Sequence, residues 1–145
     1  MAKIFSYEPF GMEGFLVNIE SDIRKGLEGF DIVGISDGVV KELKSRIKTI
    51  LGNDFPNDRV LISLSPADLK KDPTLHDLGI ELSVSNNREE GTPILILGEL
   101  NLDGTIRPVR AITAALMTAK DAGIKYAIIP KSNYEEAREI EMKVI

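Results

Sequence analysis

The sequence predicts an α+β domain in which a mixed sheet is packed by two main helices. Short apolar runs with period-two alternation recur along the chain. Two longer segments carry apolar residues at helical spacing instead. The order of these elements mixes hairpins with crossovers, which argues against an all-parallel sheet.

Residues 3–8 and 15–23 read as two strands around Gly11 and Gly14. Phe15, Val17 and Ile19 alternate with Leu16, Asn18 and Glu20, the pattern of a half-buried antiparallel strand. Gly26 and Gly29 bracket a turn, and residues 30–33 form a short third strand closed by Gly34. Ser36 then serves as an N-cap, and Asp37 sits at the positive end of a helix that runs to about Leu51. Val40, Leu43, Ile47, Ile50 and Leu51 make its apolar face, and Gly52-Asn53 stops it. Glu42 and Arg46 are four apart and able to pair, while Lys41, Lys44 and Lys48 form an outer basic stripe.

Residues 59–64 are a strand ended by Ser65-Pro66-Ala67-Asp68. Residues 70–87 resist assignment, because Asp72-Pro73 and Asn86-Asn87 are breakers and the apolar pattern between them is weak. A polar loop, 88–92, leads to Pro93, which opens the next strand where no ladder donor is needed. The apolar run 94–97 delivers a Gly98-Glu99-Leu100 corner, Asp103-Gly104 turns the backbone, and a short strand ends at Pro108. Residues 110–122 form a helix with Ile112, Ala115, Leu116 and Ala119 as its buried stripe and Gly123 as its stop. Residues 125–129 are a strand, Ser132 caps a short helix with Glu135 and Glu136 in its first turns, and 142–145 open one more strand.

A chain of 145 residues implies one domain, 1–145. A domain of this size buries roughly 68–70% of its unfolded surface and needs no covalent staples. There are no cysteines, which excludes disulfides and thiolate metal sites. The N-terminus lacks a signal-peptide apolar run, and no segment approaches the ~20 apolar residues of a membrane span, so a cytoplasmic protein is expected. A net charge of −5 opposes a stand-alone nucleic-acid binder.

No Gly-x-x-x-x-Gly-Lys-Ser/Thr run occurs, so no P-loop is expected. His76 and Asp77, with Asp72 nearby, are too few for a metal site and read as a capping or loop pair. The lysine stripe has Glu42 on the same helix and no aromatic neighbours, which favours a solvated face over a phosphate track. Arg107 and Arg110, flanking a turn, are better candidates for a partner or phosphate contact, and Lys70 and Lys71 are similar. Asp31 and Asp103 read as turn and backbone-organising carboxylates. Glu99, at the strand-to-turn corner, is expected to be half-buried and to hold local backbone N–H groups. No catalytic residue, metal ligand or cofactor-binding residue is assigned.

Three blocks carry a family resemblance. The first is Gly29-Phe30-Asp31-Ile32-Val33-Gly34-Ile35-Ser36-Asp37 with Val40-Lys41-Glu42 and Arg46. The second is Phe55-Pro56-Asn57, Arg59-Val60 and Leu64-Ser65-Pro66-Ala67-Asp68-Leu69-Lys70-Lys71. The third runs from Gly98 through Asp103-Gly104 to Arg107-Pro108-Val109, continued by Ala122-Gly123-Ile124-Lys125 and Ile129-Pro130-Lys131-Ser132-Asn133. In this order and spacing the chain resembles the N-terminal Lon-protease-like domain of ComM/YifB-type Mg-chelatase-like AAA+ ATPases.

The resemblance implies the Lon-protease-like α+β fold, also seen in a small-subunit ribosomal protein. Lon proteases use a serine nucleophile and a lysine base. Carried over by motif, the serine falls near Asp77 and the lysine near Thr113. An aspartate cannot form the acyl-enzyme and a threonine cannot replace an amine base, so the chain is expected not to be an enzyme. The family pattern Gly-Ser-x-x-Asp-Leu-Pro-Ile-Ala is followed by a long small-residue helix. Here Gly79 stands for the proline and Glu81 for the alanine, so that helix is expected to be shortened, frayed or replaced by an extended segment.

By resemblance, the parent protein is a bacterial ring-forming motor linked to DNA processing in natural transformation. This domain would be an assembly or substrate-guiding module. ATP and magnesium would belong to an AAA+ module absent from this chain. Its partners would be that module and ring neighbours, with DNA reached through the parent protein and no membrane contact. Two alternatives stand beside this: a degenerate peptidase or hydrolase around His76 and Asp77, and a free-standing nucleic-acid-binding domain.

Overall fold

The computed structural model describes residues 4–10, 13–25, 29–35, 41, 43–45, 49, 58–66, 73–85, 92–101, 103, 105–138, 140 and 143–144. Strands β1 (Ile4–Phe10) and β2 (Glu13–Lys25) form an antiparallel hairpin with Ile4 opposite Ile19 and Ser6 opposite Val17. Strand β3 (Gly29–Val33) ends where the sequence places its stop. Gly34 has φ +90, and a Cβ there would run into the Leu64 carbonyl. Only glycine meets both conditions without strain.

Strand β4 (Asp58–Ser65) lies antiparallel to β2 and parallel to β3. A 3-10 turn, Pro73–His76, runs directly into helix α1 (Asp77–Ser85). Then come β5 (Ile94–Ile96), the small hairpin β6 (Glu99–Leu100) and β7 (Ile106–Arg107), helix α2 (Ile112–Asp121), β8 (Tyr126–Ile128), a 3-10 turn (Lys131–Asn133), helix α3 (Tyr134–Ala137) and β9 (Lys143–Val144).

Among the described residues, seven strands form one mixed sheet in the order β3-β4-β2-β1-β5-β8-β9, with β6 and β7 paired apart from it. The strands β1, β5, β8 and β9 run parallel to one another. Period-two alternation divides the apolar residues between two cores. Ile4, Val17, Ile19, Phe30, Ile32, Val60, Ile62 and Leu64 pack with Leu78, Ile80 and Val84 of α1 and with Leu43. On the other face Tyr7, Leu95, Leu97 and Ala127 pack with Ile112, Ala115, Leu116 and Ala119 of α2. Those four α2 residues are the stripe expected from spacing. The α+β expectation holds, with a mixed sheet and helices on it.

The 70–87 segment, which the sequence left unassigned, contains a helix of nine residues, α1. Pro73 opens the 3-10 turn, where the missing N–H is harmless, and the helix is described to Ser85; Asp72, Asn86 and Asn87 lie outside the described residues. Pro93 lies just before β5 and not in it. Ser132 does not cap the last helix; it lies within the 3-10 turn, and Asn133 is the capping position, without a side-chain cap bond. The Asn133 side chain instead spans to the Val109 N–H and carbonyl and to Glu136. Helix α2 begins two residues later than expected, because Ala111 adopts φ 65 and leaves Arg110 outside it. Asp31 lies within β3, not in a turn, and pairs with Arg59 at 2.6 Å and Lys44 at 4.0 Å.

Of the first predicted helix, Lys41, Leu43, Lys44, Ser45 and Thr49 are helical, and Thr49 Oγ1 donates to the Ser45 carbonyl at 2.9 Å. The Ser36 cap, Asp37, the Glu42–Arg46 pair, Ile47 and Lys48 lie outside the described residues.

Candidate functional site

The position where the Lon serine would fall is the first residue of α1, against β1 and the β5–β6 corner. Chain alternation puts Ile4, Ser6 and Glu8 on one face of β1, beneath this turn. Asp77 is fully buried. Its Oδ2 accepts the Leu100 backbone N–H at 3.1 Å, and its place in the first turn of α1 suits the positive end of the helix dipole. Backbone bonds close the same corner: Leu78 N–H donates to the Gly98 carbonyl at 3.1 Å, and Gly98 N–H to Leu75 at 3.4 Å.

His76 turns the other way. Its Nδ1 lies 2.6 Å from Ser6 Oγ and its Nε2 2.9 Å from Glu8 Oε1. Ser6 Oγ donates to the Leu75 carbonyl at 3.2 Å. Ser6 and His76 are wholly buried and Glu8 is 4% exposed. His76 and Asp77, expected as a loop or capping pair, are therefore anchors of the core, one to β1 and one to β6.

A serine, a histidine and a glutamate in line have the residue types of a nucleophilic relay. Such a relay needs a carbonyl carbon within about 3–3.5 Å of the nucleophile. The Ser6 oxygen is enclosed by the sheet and the 3-10 turn, with no surface to admit one. The arrangement satisfies buried polar groups; it does not present a nucleophile.

Thr113, at the Lon lysine position, is exposed on α2. Arg107 is exposed in β7, its Nη1 3.9 Å from Glu99 Oε1 across the small hairpin. Glu99 is half-buried as expected, but its described contact is that guanidinium. The backbone-holding carboxylate foreseen at this corner is Asp77. Arg110 is exposed before α2, and Lys70 and Lys71 lie outside the described residues. Asp103 organises its turn as expected. Its Oδ1 accepts from the Thr105 hydroxyl at 2.6 Å and the Thr105 N–H at 2.9 Å, and these bonds hold its carboxyl below its usual range.

Ser6 and Glu8 were not legible as site residues, since polar positions in a strand ordinarily mean the solvent face. The available signal was the chain's one histidine beside an aspartate: a buried imidazole needs a partner at each nitrogen. Among the described residues no three His, Asp or Glu side chains gather to hold a metal ion. No helix of the described residues is long and apolar enough to cross a membrane.

Asp77 thus stands buried at the corner near which the resemblance sets the Lon serine. The family described as subunit ChlI of Mg-chelatase matches residues 19–133, and the chain belongs to that family. An uncharacterised protein of Mycobacterium tuberculosis is 36% identical over 147 residues, covering 94% of this chain and 29% of the relative. Competence protein ComM of Haemophilus influenzae is 30% identical over 145 residues, covering 94% of this chain and 28% of the relative. A Lon protease of Syntrophus aciditrophicus is 28% identical over 157 residues, covering 99% of this chain and 20% of the relative. The chain thus spans under a third of the length of these relatives.

Proposed function

We propose that this chain is a non-catalytic, Lon-like domain of a ComM-type, Mg-chelatase-like AAA+ ATPase, serving as an assembly or substrate-guiding module of a DNA-processing motor. The observation that supports it best is Asp77. The residue at the Lon nucleophile position is fully buried, and its carboxylate is bonded to the Leu100 N–H. Thr113, at the lysine position, offers no amine. A surface that has given up the chemistry while keeping the scaffold is suited to holding a neighbour.

ATP and magnesium, in this reading, act in an AAA+ module outside these residues. The chain has no Gly-x-x-x-x-Gly-Lys-Ser/Thr loop to cradle a triphosphate. The partners are that module and its ring neighbours, and DNA is reached through them.

The test is co-migration. The chain is mixed with the AAA+ portion of a ComM-type relative, ATP and magnesium, and resolved by size exclusion. A shared high-mass peak supports the reading; separate elution while the ring itself forms contradicts it. Single-stranded DNA is added to the chain alone in parallel. A net charge of −5 predicts no shift at physiological salt. A salt-sensitive shift lost on changing Arg107 and Arg110 to alanine would favour the nucleic-acid reading instead.

A further inference from the structure

The start of α2 is held against its own preference. Arg110 and Ala111 are strong helix formers, and the spacing of the sequence begins the helix at Arg110. In the fold Ala111 has φ 65 and ψ 27, the left-handed region, where its Cβ crowds the following carbonyl. Among the described residues it is the one non-glycine with a positive φ. Such strain persists only where the surroundings impose it.

Asn133 supplies the constraint. It is 3% exposed, and its side chain holds Val109 by both backbone groups. Oδ1 accepts the Val109 N–H at 2.9 Å, and Nδ2 donates to the Val109 carbonyl at 3.0 Å and to Glu136 Oε1 at 2.9 Å. Val109 and Ala111 also pack against the core under α2. In this position the Ala115 N–H bonds the Ala111 carbonyl at 3.0 Å. In a helix begun at Arg110, the Thr113 N–H would bond the Val109 carbonyl, because helical bonds run from each residue to the fourth before it. Asn133 and the longer helix therefore compete for one acceptor. Pro108 bounds the alternative. It keeps Arg107 extended, so the helix gains Arg110 and Ala111 only, roughly 3 Å of length.

We propose that Asn133 is the latch of a two-position helix start. Latched, α2 begins at Ile112 with Ala111 left-handed, as the structure has it. Released, it begins at Arg110 with Ala111 right-handed. Local preference pulls toward the longer helix, and the Asn133 bonds pull toward the shorter one. Release carries the exposed Arg110 from the connector onto the helix. Anything that binds Arg110 better in one of these directions shifts the latch by that difference in affinity.

Backbone amide exchange, followed by NMR on the whole chain, separates the two positions. Asn133→Ala should speed exchange at Val109 and slow it at Thr113 by about 2- to 10-fold, the range one net hydrogen bond gives. The strong amide-to-Hα NOE that a positive φ gives Ala111 should fade with it. Faster exchange at Val109, with Thr113 unchanged and Ala111 still left-handed, would overturn the proposal and leave Asn133 a structural tie alone. Ala111→Gly decides the matter if Asn133→Ala does not fold. Glycine takes the left-handed conformation freely and is a poor helix former, so it favours the latched position. Its Val109 N–H should exchange more slowly than in the wild type, and equal or faster exchange there would overturn the proposal as well.

Discussion

Single carboxylates explain much of this molecule. Asp77 closes a corner that sequence reasoning assigned to Glu99. The type of interaction was foreseeable, a carboxylate on a backbone N–H, but its source was 23 residues away in the chain. Such a long-range pairing leaves no local pattern. Asp77→Ala should destabilise the fold by about 2–3 kcal/mol, the cost of stranding a buried N–H that had a charged acceptor. Asp77→Asn should cost less, because its amide oxygen still accepts; urea unfolding of the three proteins checks the order. Asp103 was legible, since Asp-Gly with a following Thr is a local turn signal. The Thr105 hydroxyl and N–H both favour its ionised form, so its folded value lies below the ordinary 3.8. Its contribution is present above that value and disappears as pH falls through the depressed one. The Thr105 amide shift, followed against pH, should therefore titrate below 3.8, whereas a midpoint at or above it would contradict the assignment. Because Asp103 is fully exposed, little change in global stability is expected with it.

Elements were legible where their periodicity was strong. The buried stripe of α2 appeared residue for residue, because helical spacing and a glycine stop both act within the element. Helix α1 was obscured because its apolar pattern is nearly continuous with buried polar residues: His76, Asp77 and Ser83 are all buried beside Leu75, Leu78, Ile80 and Val84. A helix buried on most sides shows little amphipathicity. Gly79 has a physical place in it, since a Cβ there would meet Ile19 Cδ1 at 2.7 Å. Ser132 failed as a cap because Asn133 makes longer-range bonds that fix the approach to α2. At the β3 stop, Gly34→Ala should destabilise by more than about 1–2 kcal/mol, the usual penalty for a left-handed L-residue, because the Leu64 carbonyl also blocks the new methyl. A shift in thermal midpoint smaller than that implies would show that the loop relaxes.

At the scale of the whole molecule, the sheet divides the protein into two cores, one under α1 and one under α2. The class of fold followed from element order, but the strand order did not, since β5 joins β1, and β8 joins β5, by crossovers that sequence spacing alone does not place. Family membership was carried by motif blocks spread along most of the chain, and the match over residues 19–133 agrees with them. What the motifs could not convey is how the corner around Asp77 is built. The polar residues are present, and Ser6, His76, Glu8 and Asp77 cluster near the Lon serine position, but they face inward and bond to one another or to backbone. Burial converts a set of reactive residue types into a structural joint.

The most direct measurement is turnover of an unfolded protein substrate by the purified chain, with a serine-hydrolase probe in the same sample. The account predicts neither cleavage nor labelling. Cleavage abolished by Asp77→Asn, or probe attached at Ser6, would contradict it and make the buried cluster a working site.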